Sequence, residues 1–254
     1  MQESLFNTVC FIWLLTAVGA SVAMFRVTAP FGRHTTEKWG PTINNKLGWF
    51  IMELPSIAIM TWFLLTGNDT MPSFVWVLFG LWILHYFNRT VIYPMRIKPT
   101  PKRMPVVIVG SAIFFNLVNA GLNGYYLAEI ATAEQYSQSW LISWNFIFGL
   151  VLFIAGMYIN IRSDNMLIHL RKPGETGYKI PKGFLFDYVS SPNLFGEIIQ
   201  WTGFALMAWN LPAFTFMFWT MANLVPRAKN HHDWYRKHFT DYPKNRKVIF
   251  PFVF

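Results

Sequence analysis

One cysteine in 254 residues, Cys10, leaves no partner for an internal disulfide. Charge is also scarce, at 13% of residues, with 12 acids set against 21 bases. No G-x-G-x-x-G follows a strand and no G-x-x-x-x-G-K-[ST] occurs, which excludes a Rossmann unit and a P-loop. There is no G-x-S-x-G elbow and no cysteine suited to be a nucleophile, so covalent acyl transfer of those kinds is excluded. "NHHDW" carries His231 beside His232, with His238 further on, and this is no recognised zinc spacing; no metal is expected. No Gly/Ser-rich linker, low-complexity run or repeat divides the chain, so residues 1–254 read as one domain.

Apolar residues are abundant: 54% are hydrophobic and 19% aromatic, beyond the range of an ordinary soluble domain. Seven apolar stretches, about 6–25, 48–66, 73–95, 105–128, 140–160, 194–209 and 211–226, approach the roughly 20 residues a bilayer helix needs. The fold class predicted is all-α, a polytopic membrane protein of about seven transmembrane helices. The last two stretches share the Asn210–Leu211–Pro212 break and form either a hairpin or one kinked segment. All 21 Lys and Arg fall in alternate connections, among them Arg33, Arg96, Lys102, Arg171 and the cluster from Arg227 to Lys247. "GNDTMP" and "EIATAEQYSQ", between them, hold acids and no base. The positive-inside rule then gives a non-cytoplasmic N-terminus and a cytoplasmic C-terminus. The net charge of +9 belongs mainly to one membrane face, where the partner is anionic lipid; nucleic acid is not expected. The N-terminus has no basic n-region, so the first span is expected to be retained.

Polar side chains interrupt these apolar stretches. "GWFIMELPSIAIM" places Glu53 inside a span, at a cost of at least ~2–3 kcal/mol. "LHYFNRTVIYP" ends the third span with His85, Tyr86, Arg89 and Tyr93, of which Tyr86, Arg89 and Tyr93 share a helical face. Tyr93 reads as part of an interfacial aromatic belt. Asn116, Asn119 and Asn123 share a face of the fourth span, a pattern that interhelical hydrogen bonds explain. "SSPNLFGEIIQW" opens the sixth with Asn193, Glu197 and Gln200 on one side, Pro192 in the first turn and Ser190 or Ser191 as the cap. Asn223, Arg227, His231 and Tyr235 recur every four residues on the last helix, and the neighbouring connection adds Asn160, Asp164, Arg171 and Tyr178. Such a wet, basic, aromatic-lined cavity suits a phosphate-rich ligand: Arg for phosphate, Tyr for a base, Asn and Asp for ribose hydroxyls.

The chain resembles the steroid 5-alpha-reductases, the 3-oxo-5-alpha-steroid 4-dehydrogenases. The similarity is densest in "INIRSDNMLIHLRKPGETGYKIPKGFLFDYVSSPNLFGEIIQW" and "RAKNHHDWYRKHFTDYPKNRKVIFPFVF", and upstream covers "FGRHT", "ELPS", "HYFNRT" and "NGYYL". The resemblance implies a seven-helix enzyme without a Rossmann fold that uses NADPH to reduce the 4,5 double bond of a 3-oxo-4-ene steroid. It implies that Glu53 and Tyr86 hold the 3-oxo oxygen, and that Arg89, Asn160, Asp164, Arg171, Tyr178, Asn193, Glu197, Arg227, His231 and Tyr235 surround NADPH. Residues 1–128 would be mainly the substrate half and 140–254 mainly the cofactor half. The protein would be a monomer with a steroid or other lipophilic enone as substrate, in a bacterial inner membrane or a eukaryotic endoplasmic reticulum. Two departures stand out: Met52 where well-known members have Gln, and "VIYPMRIKPTPKR" where they often carry an Asn and an Arg-Gly-Arg run.

The chemistry implied is hydride addition at C5 while the carbonyl oxygen takes up charge as an enolate. Tyr86 would donate to that oxygen, and Glu53 would either donate as a neutral acid or orient the Tyr86 hydroxyl; both roles stay open. Apolar walls from the first four spans would hold the steroid. A membrane enoyl thioester reductase shares the cofactor half, and the pairing of "ELP" with "HYF" favours the steroid enone over it. An S-adenosylmethionine-dependent membrane methyltransferase would use neither Glu53 nor Tyr86, and the wealth of Arg and Lys favours a phosphorylated cofactor instead. A non-enzymatic lipid-binding or scaffold protein would use these polar residues only to bond helices together.

Overall fold

The computed structural model describes residues 3–254 apart from 31, 35–36, 69, 99–102, 173–174 and 176 and the side chains of Arg33 and Glu37. Lys102 and parts of "FGRHT", "VIYPMRIKPTPKR" and "RKPGETG" therefore lie outside the described residues. In chain order the elements are α1 (Glu3–Arg26), β1 (Thr42–Asn44), α2 (Asn45–Thr66), α3 (Trp76–Phe87), α4 (Tyr93–Arg96), β2 (Arg103–Pro105), α5 (Val106–Tyr125), α6 (Trp144–His169), α7 (Pro192–Ala208) and α8 (Leu211–His238). A π-helical turn at Asn88–Ile92 joins α3 to α4, and a second at Tyr126–Ile130 extends α5.

Five helical segments are long and apolar enough to cross a membrane: Glu3–Arg26, Asn45–Thr66, Ser73–Arg96, Val106–Ile130 and Trp144–His169. The two remaining stretches fall short of that measure. α7 has 17 residues, and α8 runs on to His238 with a strongly polar last third. The Asn210 break makes a hairpin: Trp209 turns left-handed at φ 45°, and Asn210 caps α8 by accepting from the Ala213 N–H.

The expectation of an all-helical chain needs one correction. β1 and β2 form a small antiparallel sheet, pairing Thr42 with Pro105 and Asn44 with Arg103. Each strand leads directly into a membrane helix, so the sheet ties the start of α2 to the start of α5. Asn44 also caps α2, its side-chain oxygen accepting from the N–H groups of Lys46 and Leu47. Strands of three residues carry too little alternation to be seen in the sequence.

α6 and α7 pack through glycine. A Cβ on Gly149 would lie 2.6 Å from the Gly203 carbonyl, and one on Gly156 would lie 2.5 Å from the Gly196 carbonyl. The two contacts are one heptad apart on both antiparallel helices, and small residues there allow the backbones to touch. Asn160 lies one turn beyond Gly156 and donates to the Asn193 carbonyl at 3.0 Å, so the same seam sets the start of α7.

At that start, neither serine caps by its side chain. Ser191 occupies the cap position, but its hydroxyl is buried with no partner among the described residues. Ser190 instead joins the C-terminal tail: its hydroxyl meets His232 Nδ1 at 2.6 Å and the Tyr242 hydroxyl at 2.6 Å and donates to the Lys247 carbonyl at 3.1 Å. Backbone bonds from Ser190 N–H to the Lys247 carbonyl and from Lys247 N–H to the Tyr188 carbonyl complete the clasp. Ser190→Ala is expected to weaken it by about 1–3 kcal/mol, the penalty for stranding buried polar partners. Faster carboxypeptidase digestion of the tail would register the loss; an unchanged rate would count against the clasp. Burial holds His232 below the ordinary imidazole range, with Asp233 opposing and Arg236, Lys229 and Arg246 adding to the shift. A depressed imidazole binds protons more readily when released, so docking is strongest above the ordinary imidazole value and weakens as pH falls through it.

Candidate functional site

Two cavities meet inside the helical bundle. The first, of about 290 Å³, is basic and aromatic, walled by Arg171, His231, Lys98 and Lys179 with Tyr93, Tyr178 and Tyr235. The second, of about 510 Å³, is mainly apolar, walled by Met52, Phe114, Phe115, Phe216, Trp219 and Leu224. Glu53, His85, Tyr86, Asn116 and Asn223 are among its polar lining residues. Trp49, Arg89, Glu197 and Arg227 line both, and so form the junction.

Arg89 organises that junction. Its guanidinium lies 3.3 Å from Asp164 Oδ2 and 4.0 Å from Glu197 Oε2, and it stacks 4.6 Å above the Trp49 ring and 5.0 Å from the Tyr93 ring. Two carboxylates and two aromatic faces thus hold one planar cation in a single orientation, as a guanidinium allows and an ammonium does not. Asp164 is fixed from its other side by the Asn193 amide at 2.9 Å. The π-helical turn, closed by the bond from Tyr93 N–H to the Asn88 carbonyl, contains Arg89 and lies between Tyr86 and Tyr93. It widens the helix at this point and lets Tyr86 face the apolar cavity while Tyr93 faces the basic one.

Local chain order presents the groups of the basic cavity. Lys172 N–H and Lys179 Nζ both donate to Glu175, which holds that exposed carboxyl below the usual carboxylate range. Arg171 donates to the Gly177 carbonyl at 3.2 Å, and Lys98 donates to the Arg171 carbonyl at 2.6 Å. Tyr178 meets Trp234 edge-on at 4.8 Å, and His231 stacks with His34 at 5.8 Å.

On the apolar wall the Tyr86 ring is almost fully buried, backed by Trp82 at 5.3 Å and Trp201 at 5.9 Å. Its hydroxyl faces Asn116 Oδ1 at 3.4 Å, and the Asn116 amide donates to Glu53 Oε2 at 3.2 Å and to the Met52 carbonyl at 2.6 Å. His85 meets Gln200 Oε1 at 3.0 Å. Pro55, two residues past Glu53, has no N–H for the Ile51 carbonyl and loosens α2 at this depth.

The structure brings together most of the residues the sequence singled out. Glu53 and Tyr86 stand on the apolar wall, Arg89, Glu197 and Arg227 at the junction, and Asp164, Arg171, Tyr178, Asn193, His231 and Tyr235 around the basic cavity. Asn160 lines neither cavity; it stands at the α6–α7 seam and donates to the Asn193 carbonyl. Tyr93, read as an interfacial belt residue, lines the basic cavity instead. Asn119 and Asn123 join helices as expected, through Trp13 and the Pro212 carbonyl. Asn116 does so at the site itself, which its place in that stripe hinted at without deciding. Trp49 and Lys98 had no local signal. The division into halves is shared rather than strict, since α8 lines both cavities.

A family model described as 3-oxo-5-alpha-steroid 4-dehydrogenase matches residues 102–254. The chain is 38% identical to a steroid 5-alpha-reductase of Gossypium hirsutum over 100% of its own length and 99% of the relative's. It is 42% identical to 3-oxo-5-alpha-steroid 4-dehydrogenase 2 of Macaca fascicularis over 94% of each chain. With 3-oxo-5-alpha-steroid 4-dehydrogenase 1 of Rattus norvegicus it shares 40% over 91% of its length and 89% of the relative's. Helices apolar enough for a membrane, a buried site spanning them and identity along nearly the whole chain agree: the chain belongs to the 3-oxo-5-alpha-steroid 4-dehydrogenase family.

Proposed function

We propose that this chain reduces the 4,5 double bond of a 3-oxo-4-ene steroid to the 5-alpha-dihydro product, with NADPH as reductant. One observation carries the reading: a basic, aromatic cavity and an apolar one share Trp49, Arg89, Glu197 and Arg227, with Glu53 and Tyr86 on the apolar wall. The activities in the relatives' names are of the same chemistry.

The groups of the basic cavity fit a phosphorylated dinucleotide. Arg171, Arg227, Lys98 and Lys179 offer partners for phosphate, Tyr178 and Tyr235 faces for stacking, and Asp164 and Asn193 partners for ribose hydroxyls. Bound there, NADPH supplies the hydride that adds at C5. The volume of about 510 Å³ on the apolar side falls within the ~300–1,000 Å³ typical of small-molecule sites.

The chain's own residues do the rest. As the double-bond electrons move through the conjugated carbonyl, charge collects on the 3-oxo oxygen. Tyr86, held rigid by Trp82 and Trp201, donates to it, a contribution of roughly 3–4 kcal/mol for a well-placed donor. Glu53 stands beside it as a second donor or as the acceptor that aims the hydroxyl. A proton drawn ultimately from solvent once the site opens adds at C4 and restores the ketone, so a hydride and a proton are added overall. Phe114, Phe115, Phe216 and Trp219 keep water from the enolate.

In a bilayer, α7 and the first half of α8 complete seven crossings, with the N-terminus non-cytoplasmic and the basic cavity facing the cytoplasm; the alternating bases support that orientation. The decisive test follows NADPH oxidation by the detergent-purified protein with testosterone or progesterone, NADH as control, and identifies the product by mass spectrometry. A 5-alpha-dihydro product is expected with NADPH. NADPH binding with reduction of an enoyl thioester alone would overturn the steroid reading, and absence of NADPH binding would overturn the reductase reading.

A further inference from the structure

We propose that Asn116 is a positioning residue that sets the Glu53 and Tyr86 side chains as one pair of donors for the substrate's carbonyl oxygen. This rests on the reductase reading above and adds to it how the pair is held.

Asn116 lies on α5, whereas Glu53 lies on α2 and Tyr86 on α3, and its side chain is almost entirely buried where the three helices meet. All of its hydrogen-bonding groups are engaged. The two amide hydrogens go to the Met52 carbonyl at 2.6 Å and to Glu53 Oε2 at 3.2 Å, and Oδ1 faces the Tyr86 hydroxyl at 3.4 Å. The orientation of the amide has only one solution. A backbone carbonyl accepts and never donates, so the nitrogen must face Met52 and the oxygen must face Tyr86.

Two consequences follow for the reacting pair. Glu53 Oε2 accepts from Asn116, so a proton on the carboxyl resides on Oε1, the oxygen Asn116 leaves untouched. Tyr86 has one hydroxyl hydrogen; Asn116 Oδ1 is a long, weak resting partner for it beside the Ser56 side chain, and a ketone oxygen can displace it. Asn116 therefore keeps both donors poised without competing strongly with substrate. The amide also sits against residue 52, where this chain has Met52 in place of the Gln of well-known members, so an amide is present here on α5 rather than on α2.

Two variants separate the parts of the role. Asn116→Asp keeps the shape and the acceptor for Tyr86 but loses both amide donors; Asn116→Leu loses all three contacts at similar volume. Either variant that folds, as shown by wild-type NADPH affinity, decides the question. We expect kcat to fall by about 100-fold, the usual scale for misplacing a catalytic group by an ångström. The pH profile of kcat should shift as well. A second readout needs no turnover: the infrared carbonyl band of a bound 3-oxo-4-ene steroid should lie lower in wild type than in either variant. Combining Asn116→Leu with Glu53→Gln should cost less than the sum of the two alone, because the residues act as a unit. A wild-type carbonyl band and unchanged kcat in a folded variant would overturn the proposal, as would strictly additive losses. A wild type that shifts the carbonyl band but reduces no enone would sink the reductase reading while leaving the positioning role intact.

Discussion

Tyr86→Phe is expected to lower kcat for enone reduction by about 100- to 1,000-fold, with NADPH affinity and folding unchanged. The magnitude is that of removing one oriented donor from a developing oxyanion in a water-poor site. The substitution takes away a single oxygen. The ring keeps its contacts with Trp82 at 5.3 Å, His85 at 5.1 Å and Trp201 at 5.9 Å, so packing behind the site should persist. The polar neighbours given up are Asn116 Oδ1, at a distance where the bond is weak, and the Ser56 side chain. Steroid binding should change far less than kcat, because the oxyanion exists only in the transition state. Steady-state kinetics on purified protein, with NADPH titrated separately by fluorescence, provides the check. A loss confined to KM would mean that Tyr86 only helps to bind the ground state. A kcat within threefold of wild type would remove Tyr86 from the chemistry altogether.

Gly156→Ala is expected to be among the most damaging single-methyl changes at the described glycines, with Gly203→Ala on the facing helix close to it. The added Cβ would lie 2.4 Å from the Gln200 nitrogen, 2.5 Å from the Gly196 carbonyl and 2.8 Å from the Gln200 Cα. All three are backbone atoms of α7, and none can swing aside as a side chain would. The helices must separate, and overpacking of this kind costs about 1–3 kcal/mol or more. The damage should reach the site, because the turn just past this seam carries Asn160, which holds Asn193, which holds Asp164 against Arg89. Thermal unfolding in detergent should show a large drop in Tm together with weakened NADPH binding. Gly121→Ala on α5 is the matched control: nothing lies within 4 Å of its added Cβ, and the change should be neutral or slightly stabilising. If Gly156→Ala and Gly121→Ala unfold alike, the close backbone contact is not what holds α6 to α7.

Much of the site was legible before any coordinates, for a reason specific to membranes. Charge within an apolar span is costly enough that each exception calls for an explanation. Glu53, Arg89 and Glu197 stood out as such exceptions, and all three line the cavities. The four-residue rhythm of Arg227, His231 and Tyr235 was equally readable, because α8 is an unbroken helix through them and keeps its side chains in register. Five of the seven apolar stretches proved long and apolar enough to cross a membrane, and that length and apolarity were likewise properties of composition along the chain.

Apolar patterning alone thus carried the long helices and the identity of most polar groups that would converge. Their partition and support came from packing between helices. The π-helical turn at Asn88–Ile92 has no sequence signature, yet it separates Tyr86 from Tyr93 between two cavities. Asn116 looked like any asparagine in a membrane helix, and Asn160 read as one of the residues around NADPH. One became the hinge of the Glu53 and Tyr86 pair, and the other a strut behind Asn193. Trp49 was one aromatic among many until Arg89 stacked on it. Local pattern records what a residue costs where it stands; which neighbour offsets that cost depends on helices distant in sequence, and only their packing brings the neighbour within a few ångströms.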